Sequence, residues 1–268
     1  MTTHIAINGA TGRMGRALIH ACTEYQESSL QAALVRESSN FIGQDAGTVA
    51  GIVEQGVDIT ADRIDALGKS DVWIDFTLPE GVMDAVEFCL DHNMPMVIGT
   101  TGLSEAQTTR IREAAEKIPL VFAPNMSVGV NLCLSLLKTA ARTLGDDYDI
   151  EIVEAHHKNK VDAPSGTAIR MGEVIAEAAG VDLKQKAVYT RHGNIGVREK
   201  GSIGFQTVRA GDIVGEHTVL FAGTGERIEI SHKASSRLTF ARGAIRAAIW
   251  LKGKPAGLYD MQDVLELS

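Results

Sequence analysis

Cysteine, aromatic residues and excess basic charge are all scarce in this sequence: 3 Cys in 268 residues, 5% aromatics, and 26 Lys+Arg against 34 Asp+Glu. The cysteines, Cys22, Cys89 and Cys133, lie far apart with no CxxC spacing. An odd, sparse set of this kind excludes a disulfide framework and fits reduced thiols in a cytoplasmic protein. The net charge of −8 argues against a general nucleic-acid binder, which carries a basic surface. No apolar run reaches the ~18 residues of a membrane span. Residues 1–12 have neither the basic nor the long apolar region of a signal peptide. The expectation is a soluble chain in the cytoplasm, with neither nucleic acid nor membrane as partner. What is present, 44% hydrophobic and 22% charged residues, is globular composition. The length gives about two domains at roughly 150 residues each, enough to bury a core without staples.

In the first half, short apolar runs at residues 4–8, 30–36, 71–76, 94–98 and 120–123 read as strands. Helical patterns over 13–25, 81–93, 104–117 and 128–144 separate or follow them. Such alternation predicts a parallel sheet covered by helices, a Rossmann-type α/β domain. Ser104 and Gln107 have the spacing of a capping box. After about residue 145 the pattern changes. A strand over 148–156 and a helix over 167–179 precede a segment at 186–191 and three β-like runs, 203–209, 213–222 and 226–233. The turn signals Ala210-Gly211-Asp212 and Gly223-Thr224-Gly225 predict two consecutive hairpins, hence a second, α+β domain with a mixed or antiparallel sheet. A helical pattern returns over 239–251.

Residues 9–15, GATGRMG, follow the first strand and open the first helix. G-x-x-G-x-x-G is a variant of the dinucleotide fingerprint. Gly9 permits the tight turn, Gly12 lets the backbone approach a pyrophosphate, and Gly15 allows helix and strand to pack closely. The helix N-terminus supplies N–H groups to the phosphates. The acidic residue that would hold a ribose 2′-hydroxyl is expected about 20 residues on, where this chain has Val35 and then Arg36. An Arg there, helped by Arg13, can pair with a 2′-phosphate; a solvated Arg36 beside Glu37 is the alternative. The loops 99–102 and 123–127 follow the fourth and fifth predicted strands, at the carboxyl edge where open α/β sheets bind ligands. Ordinary turn chemistry is the other reading of each.

The segment 154–167, EAHHKNKVDAPSGT, concentrates two histidines and two lysines in five residues. In an extended chain His156, Lys158 and Lys160 share one side. Zinc is disfavoured by the adjacent lysines and the absence of partner spacing, and no metal is expected. The remaining readings are a solvated basic loop and an anion-binding, acid–base site. For the latter, Gly166 and Thr167 open the next helix and can bind a carboxylate, and Lys and His can donate protons. Ser165 is a plausible N-cap.

Residues 9–15 (GATGRMG), 75–77 (DFT), 99–102 (GTTG), 125–131 (NMSVGVN), 154–168 (EAHHKNKVDAPSGTA), 209–219 (RAGDIVGEHTV) and 231–237 (SHKASSR) together resemble the dihydrodipicolinate reductase family, also called 4-hydroxy-tetrahydrodipicolinate reductases, of bacterial diaminopimelate and lysine biosynthesis. The likeness covers nearly the whole chain. It implies an N-terminal dinucleotide-binding domain (1–127) completed by 237–268, and an inserted substrate-binding and oligomerisation domain (128–236) that forms a homotetramer. The implied reaction is reduction of a cyclic imine dicarboxylate with NADPH or NADH. His156 and Lys160 fall on the family's acid–base pair, and His157, Gly166, Thr167 and Arg237 on its substrate contacts. The cofactor contacts fall on Gly9, Ala10, Thr11, Gly12, Arg13, Met14 and Arg36, then on Gly99, Thr100 and Thr101, and on Ala123, Pro124, Asn125 and Met126. Val35 departs from the acidic residue found in members that use NADH well, so NADPH is expected to serve at least equally. Met126 stands where an aromatic residue is common. Two other readings compete: a different Rossmann dehydrogenase of a small dicarboxylate, including an aldehyde-type enzyme, which commonly needs a catalytic Cys whereas Cys133 lies in the apolar run VNLCLSLL of a helix core, and a non-enzymatic dinucleotide-binding redox sensor.

Overall fold

The computed structural model describes residues 2–267. In chain order the elements are β1 (Thr3–Asn8), α1 (Arg13–Cys22), β2 (Ser28–Leu34), α2 (Ala46–Ala50), β3 (Ile59–Thr60), α3 (Arg63–Lys69), β4 (Val72–Asp75), α4 (Pro79–Asp91), β5 (Met96–Ile98), α5 (Glu105–Ala115), β6 (Pro119–Phe122) and α6 (Val128–Leu144). There follow β7 (Asp149–His156), α7 (Gly166–Ala179), α8 (Leu183–Lys186), β8 (Ala187–Val188), β9 (Ile203–Arg209), β10 (Gly215–Ala222), β11 (Arg227–Ala234), α9 (Leu238–Leu251), β12 (Gly257–Tyr259) and α10 (Met261–Val264). The chain divides into two units, one running up to Val128 and resuming at Arg237, the other spanning Gly129–Ser236.

The first unit is a seven-stranded sheet in the order β12-β6-β5-β4-β1-β2-β3, with every pairing parallel. Its strands are apolar on both faces because helices cover both. In β1, Ile5 and Ile7 join a core with Leu18 of α1 and Ala244 of α9. Ala6, of opposite parity, joins a second core with Val82 of α4 and Ile111 of α5. The strand order reverses direction between β1 and β4, so the crevice beyond their carboxyl ends is the ligand position of such a sheet. Ser104 and Gln107 form the expected capping box at α5. β3, β12, α2, α3 and α10 have no counterpart among the elements expected from sequence.

The second unit is a mixed five-stranded sheet, β11-β10-β7-β9-β8. One face packs on α6 and α7, through Ile152, Phe205, Val219 and Phe221 against Leu137 and Met171. The turn at residues 223–225 joins a true hairpin, β10 with β11. The one at 210–212 does not. β9 pairs in parallel with β7, and β7 in turn pairs antiparallel with β10. Instead of closing a two-stranded turn, Ala210 N–H donates to the His156 carbonyl and Lys158 N–H to the Gly211 carbonyl. The segment at 186–191 keeps only the short β8, since 183–186 is helical.

Candidate active site

At the carboxyl edge of the first sheet, backbone rather than side chains dominates. Gly9 adopts φ +72°, a left-handed conformation that favours glycine. A Cβ on Gly15 would sit 2.2 Å from the Gly9 carbonyl oxygen, so helix and strand can approach only with glycine here. Gly12 is the N-cap of α1, makes no side-chain cap, and no acidic residue occupies the first turn. The helix therefore presents its N–H groups and positive end to an anion, the arrangement a dinucleotide pyrophosphate requires. Ala10 is buried, Thr11 and Met14 are half-buried, and Arg13 is exposed. Arg36 is exposed just beyond β2, whereas Val35 packs against the core.

Behind this loop lies a network keyed to Asp75, fully buried at the end of β4. Asn8 Nδ2 donates to its Oδ2 at 2.6 Å, and the N–H and hydroxyl of Thr77 donate to its Oδ1, both at 2.7 Å. The Thr100 hydroxyl then donates to the Thr77 carbonyl at 2.9 Å. Three loops of the edge are thus tied to one carboxyl, which burial pushes above its ordinary range. Gly99 has no room for a Cβ, which would lie 2.2 Å from the Phe76 ring. Thr101 and Pro124 are exposed and Asn125 is half-buried, its Oδ1 accepting from Ser127 N–H at 2.9 Å. Ala123 and Met126 are core residues, so it is their backbone that can face a ligand.

The second unit builds its site from side chains. β7 ends at His156, and a turn follows in which Lys160 N–H donates to the His157 carbonyl. The expected two-residue alternation therefore stops at His156 and does not align it with Lys158 and Lys160. Lys158 is exposed, while Lys160 is half-buried and pairs with Asp162 at 2.8 Å; this pairing leads the effects that lower the Asp162 carboxyl. His157 Nδ1 is buried without a hydrogen-bond partner.

His156 is buried and its Nδ1 lies 2.6 Å from Glu154 Oε2. Glu154, also buried, receives both Nη atoms of Arg209, each at 2.8 Å, and the Ser165 N–H at 3.1 Å. Burial alone would raise the Glu154 carboxyl, but the hydrogen bonds from Arg209, His156 and Ser165 hold it below its ordinary value. For His156 the balance reverses. Burial pushes the imidazole down more than Glu154 lifts it, and Lys160 and Arg209 push the same way. The His156 imidazole is therefore held below its ordinary value. Ser165 caps α7 by accepting from Ala168 N–H, and its hydroxyl meets His217 Nε2 at 2.9 Å. Burial brings His217 down to about 4. Gly166, the first residue of α7, is exposed, and a Cβ there would meet nothing within 4 Å, so the mouth of the helix is open.

The structure thus gathers His156, His157, Lys160, Gly166 and Thr167 in the second unit, whereas Arg237 is exposed at the start of α9 in the first. Glu154, Arg209 and His217 were not assigned roles from sequence. The signal for Glu154 was its position two residues before His156, the same strand face. Cys133 is buried and burial raises its thiol, the opposite of an activated nucleophile. Among the described residues no group of three or more His, Cys, Asp or Glu is arranged to hold a metal, and no helix is long and apolar enough to cross a membrane.

Residues 3–126 match the family described as dihydrodipicolinate reductase, N-terminus, and residues 129–265 its C-terminus. A 4-hydroxy-tetrahydrodipicolinate reductase of Hahella chejuensis is 57% identical over 265 residues, 99% of each chain. One from Alkalilimnicola ehrlichii is 58% identical over 267 residues, covering 100% of each. Among solved structures, a dipicolinate-bound dihydrodipicolinate reductase from Paenisporosarcina sp. TG-14 is similar with a TM-score of 0.77 and 26% identity, covering 98% of this chain and 99% of that one.

Proposed function

The chain belongs to the dihydrodipicolinate reductase family, and from that premise we propose that it reduces 4-hydroxy-tetrahydrodipicolinate to tetrahydrodipicolinate with NAD(P)H, in diaminopimelate and lysine biosynthesis. The observation that carries this reading is the double grip of Glu154, whose two oxygens hold His156 and the Ser165 N–H at the start of α7. An acid–base group and a carboxylate-binding helix end are thereby one constellation, suited to a small dianion that must be protonated as it is reduced.

Gly166 and Thr167 bind one substrate carboxylate through the N-terminus of α7, with His157 as a further contact; Arg237, in the first unit, is kept as an anion contact from the family resemblance alone. Lys160 is the proton donor. Its Nζ lies at the rim of the site, paired with Asp162, whereas His156, with its Nδ1 turned to Glu154, offers Nε2 as an acceptor. The solved relative that holds dipicolinate, itself a cyclic dicarboxylate, supports the substrate class.

Residues 9–14, 99–101 and 123–126 hold the dinucleotide, the first by the uncapped end of α1. When bound, the cofactor supplies the hydride. Arg36, with Arg13, meets a 2′-phosphate, and no carboxylate stands at Val35 to favour a bare ribose; NADPH is therefore used at least as well as NADH. The units divide the work, dinucleotide in the first and substrate and assembly in the second. A homotetramer in the cytoplasm completes the reading. It is supported by the sheet face opposite α6 and α7, which carries Val153, Leu220 and the exposed Val208, and by three free cysteines.

The test is oxidation of NADPH and of NADH by the full chain, with substrate formed enzymatically in the same vessel. Turnover with both cofactors, and kcat/KM for NADPH equal or higher, is expected. Absence of turnover overturns the activity, and a strong bias to NADH overturns the cofactor assignment.

A further inference from the structure

Glu154 is wholly buried, yet it is not a charge in need of a proton. Its two oxygens accept from the two Nη atoms of Arg209, a planar fork that matches a carboxylate. Arg209 is in turn anchored to the Asp162 carbonyl at 2.6 Å. The position follows from register: Glu154 and His156 share one face of β7, and Arg209 on β9 lies opposite His156. A lone carboxylate beside an imidazole favours the charged ring. Here the guanidinium offsets that charge, so the carboxylate can orient the ring without holding it protonated. The other groups that face His156 are Lys160 from the loop and His217 from β10, whose ring lies edge-on at 5.1 Å. His232 on β11 stands beyond His217. None of them is an anion.

We propose that Glu154 is a positioning residue for both halves of the site: through Oε2 it fixes His156 as the Nδ1–H form with Nε2 left as an acceptor, and through Oε1 it fixes the N-terminus of α7. The proposal rests on the reading above that His156 and the α7 end serve the reductase reaction. An ionised carboxylate only accepts hydrogen bonds, so the nitrogen 2.6 Å from it must carry the proton. Glutamine has nearly the shape of glutamate but only one accepting arm. In Glu154→Gln with the amide oxygen at Oε1, that oxygen still accepts from Arg209 Nη2 and the Ser165 N–H, while the NH2 replaces Oε2, no longer accepts from Arg209 Nη1 and faces His156 Nδ1. That nitrogen then has to accept, and the imidazole proton moves to Nε2.

The experiment is 15N–1H correlation of the imidazoles in the full chain labelled with 15N-histidine, with His156 identified by its loss in His156→Asn. Wild type is expected to carry the proton on Nδ1, and Glu154→Gln on Nε2. In steady-state kinetics Glu154→Gln is expected to lower kcat/KM roughly 10–100-fold, by analogy with carboxylates that orient metal-ligating histidines, with kcat reduced and KM for the dicarboxylate raised. In a His156→Asn background the kcat loss shrinks to about twofold or less, the limit of independent effects, while the KM rise persists. A protein that is merely less well folded shows none of this split. A wild-type His156 protonated on Nε2, or a Glu154→Gln variant with unchanged tautomer, kcat and KM, overturns the proposal. The wild-type spectrum decides it even if the variant does not fold, and decides it separately from the activity itself, whose failure registers as absent turnover.

Discussion

The carboxyl edge of the first sheet and the end of β7 both present polar groups to a ligand, and they do so by opposite means. The first uses positions where no side chain fits: Gly15 and Gly99 have their Cβ space filled by the Gly9 carbonyl and the Phe76 ring. Its one buried carboxyl, Asp75, works from behind by fixing loops. The second uses side chains from three strands and a loop, with Glu154 and Arg209 at the centre and Lys160 at the rim. A backbone cradle suits a ligand recognised by shape and phosphate; a charged cluster suits one that must exchange a proton. The two buried groups also respond oppositely to pH. Asp75 is pushed up, so its contribution favours the fold at low pH and is lost as pH rises through its folded value. His217 is pushed down, so its contribution is full above 6.5 and is lost as pH falls toward about 4.

The sharpest way to break this contrast is Lys160→Ala. If chemistry resides in the second unit, kcat falls on the order of 10²–10⁴-fold, the usual worth of a general acid, in the coupled NADPH assay. His217→Gln comes next. The wild-type second unit loses up to about 3 kcal/mol between pH 6.5 and 4 from this histidine alone, at 1.36 kcal/mol per pKa unit. Calorimetry across that window is expected to give a flatter acid slope for the variant; an unchanged slope contradicts the burial argument.

Two glycines then test backbone against open space. Gly15→Ala forces a Cβ onto backbone atoms and is expected to cost about 1–3 kcal/mol, seen as a lower Tm and weaker NADPH binding. Gly166→Ala meets no atom within 4 Å, so stability holds within roughly 0.5 kcal/mol while KM for the dicarboxylate rises. Arg36→Ala is confined to one cofactor: it is expected to raise KM for NADPH about tenfold, the lower end for a charge-assisted contact, and to leave NADH unchanged. Equal effects on both cofactors remove the 2′-phosphate assignment.

The contrast also explains what could be read in advance. Glycine spacing, the capping box at Ser104 and the strand–helix alternation are local, and each was legible residue by residue. β3 and β12, two and three residues long, are strands only because neighbours pair with them, and no periodicity develops over so few positions. The Gly211 turn has hairpin chemistry, but its bonds go to the His156 loop, because β7 comes between β9 and β10. Local turn residues specify a reversal and not the partner. The same limit hid the centre of the site. His156, Lys160, Gly166 and Thr167 sit within one short segment, and their closeness in sequence made them candidates together. Arg209 and His217 reach Glu154 and Ser165 from 55 and 52 residues away, and only the fold unites them.

The most direct measurement of the division between the two units is a fluorescence titration of NADPH into His156→Asn/Lys160→Ala, run beside turnover on the same preparation. An NADPH Kd within about twofold of wild type, as for sites that do not couple, is expected together with lost turnover. Cofactor affinity falling in step with activity, or activity that survives, would contradict that division.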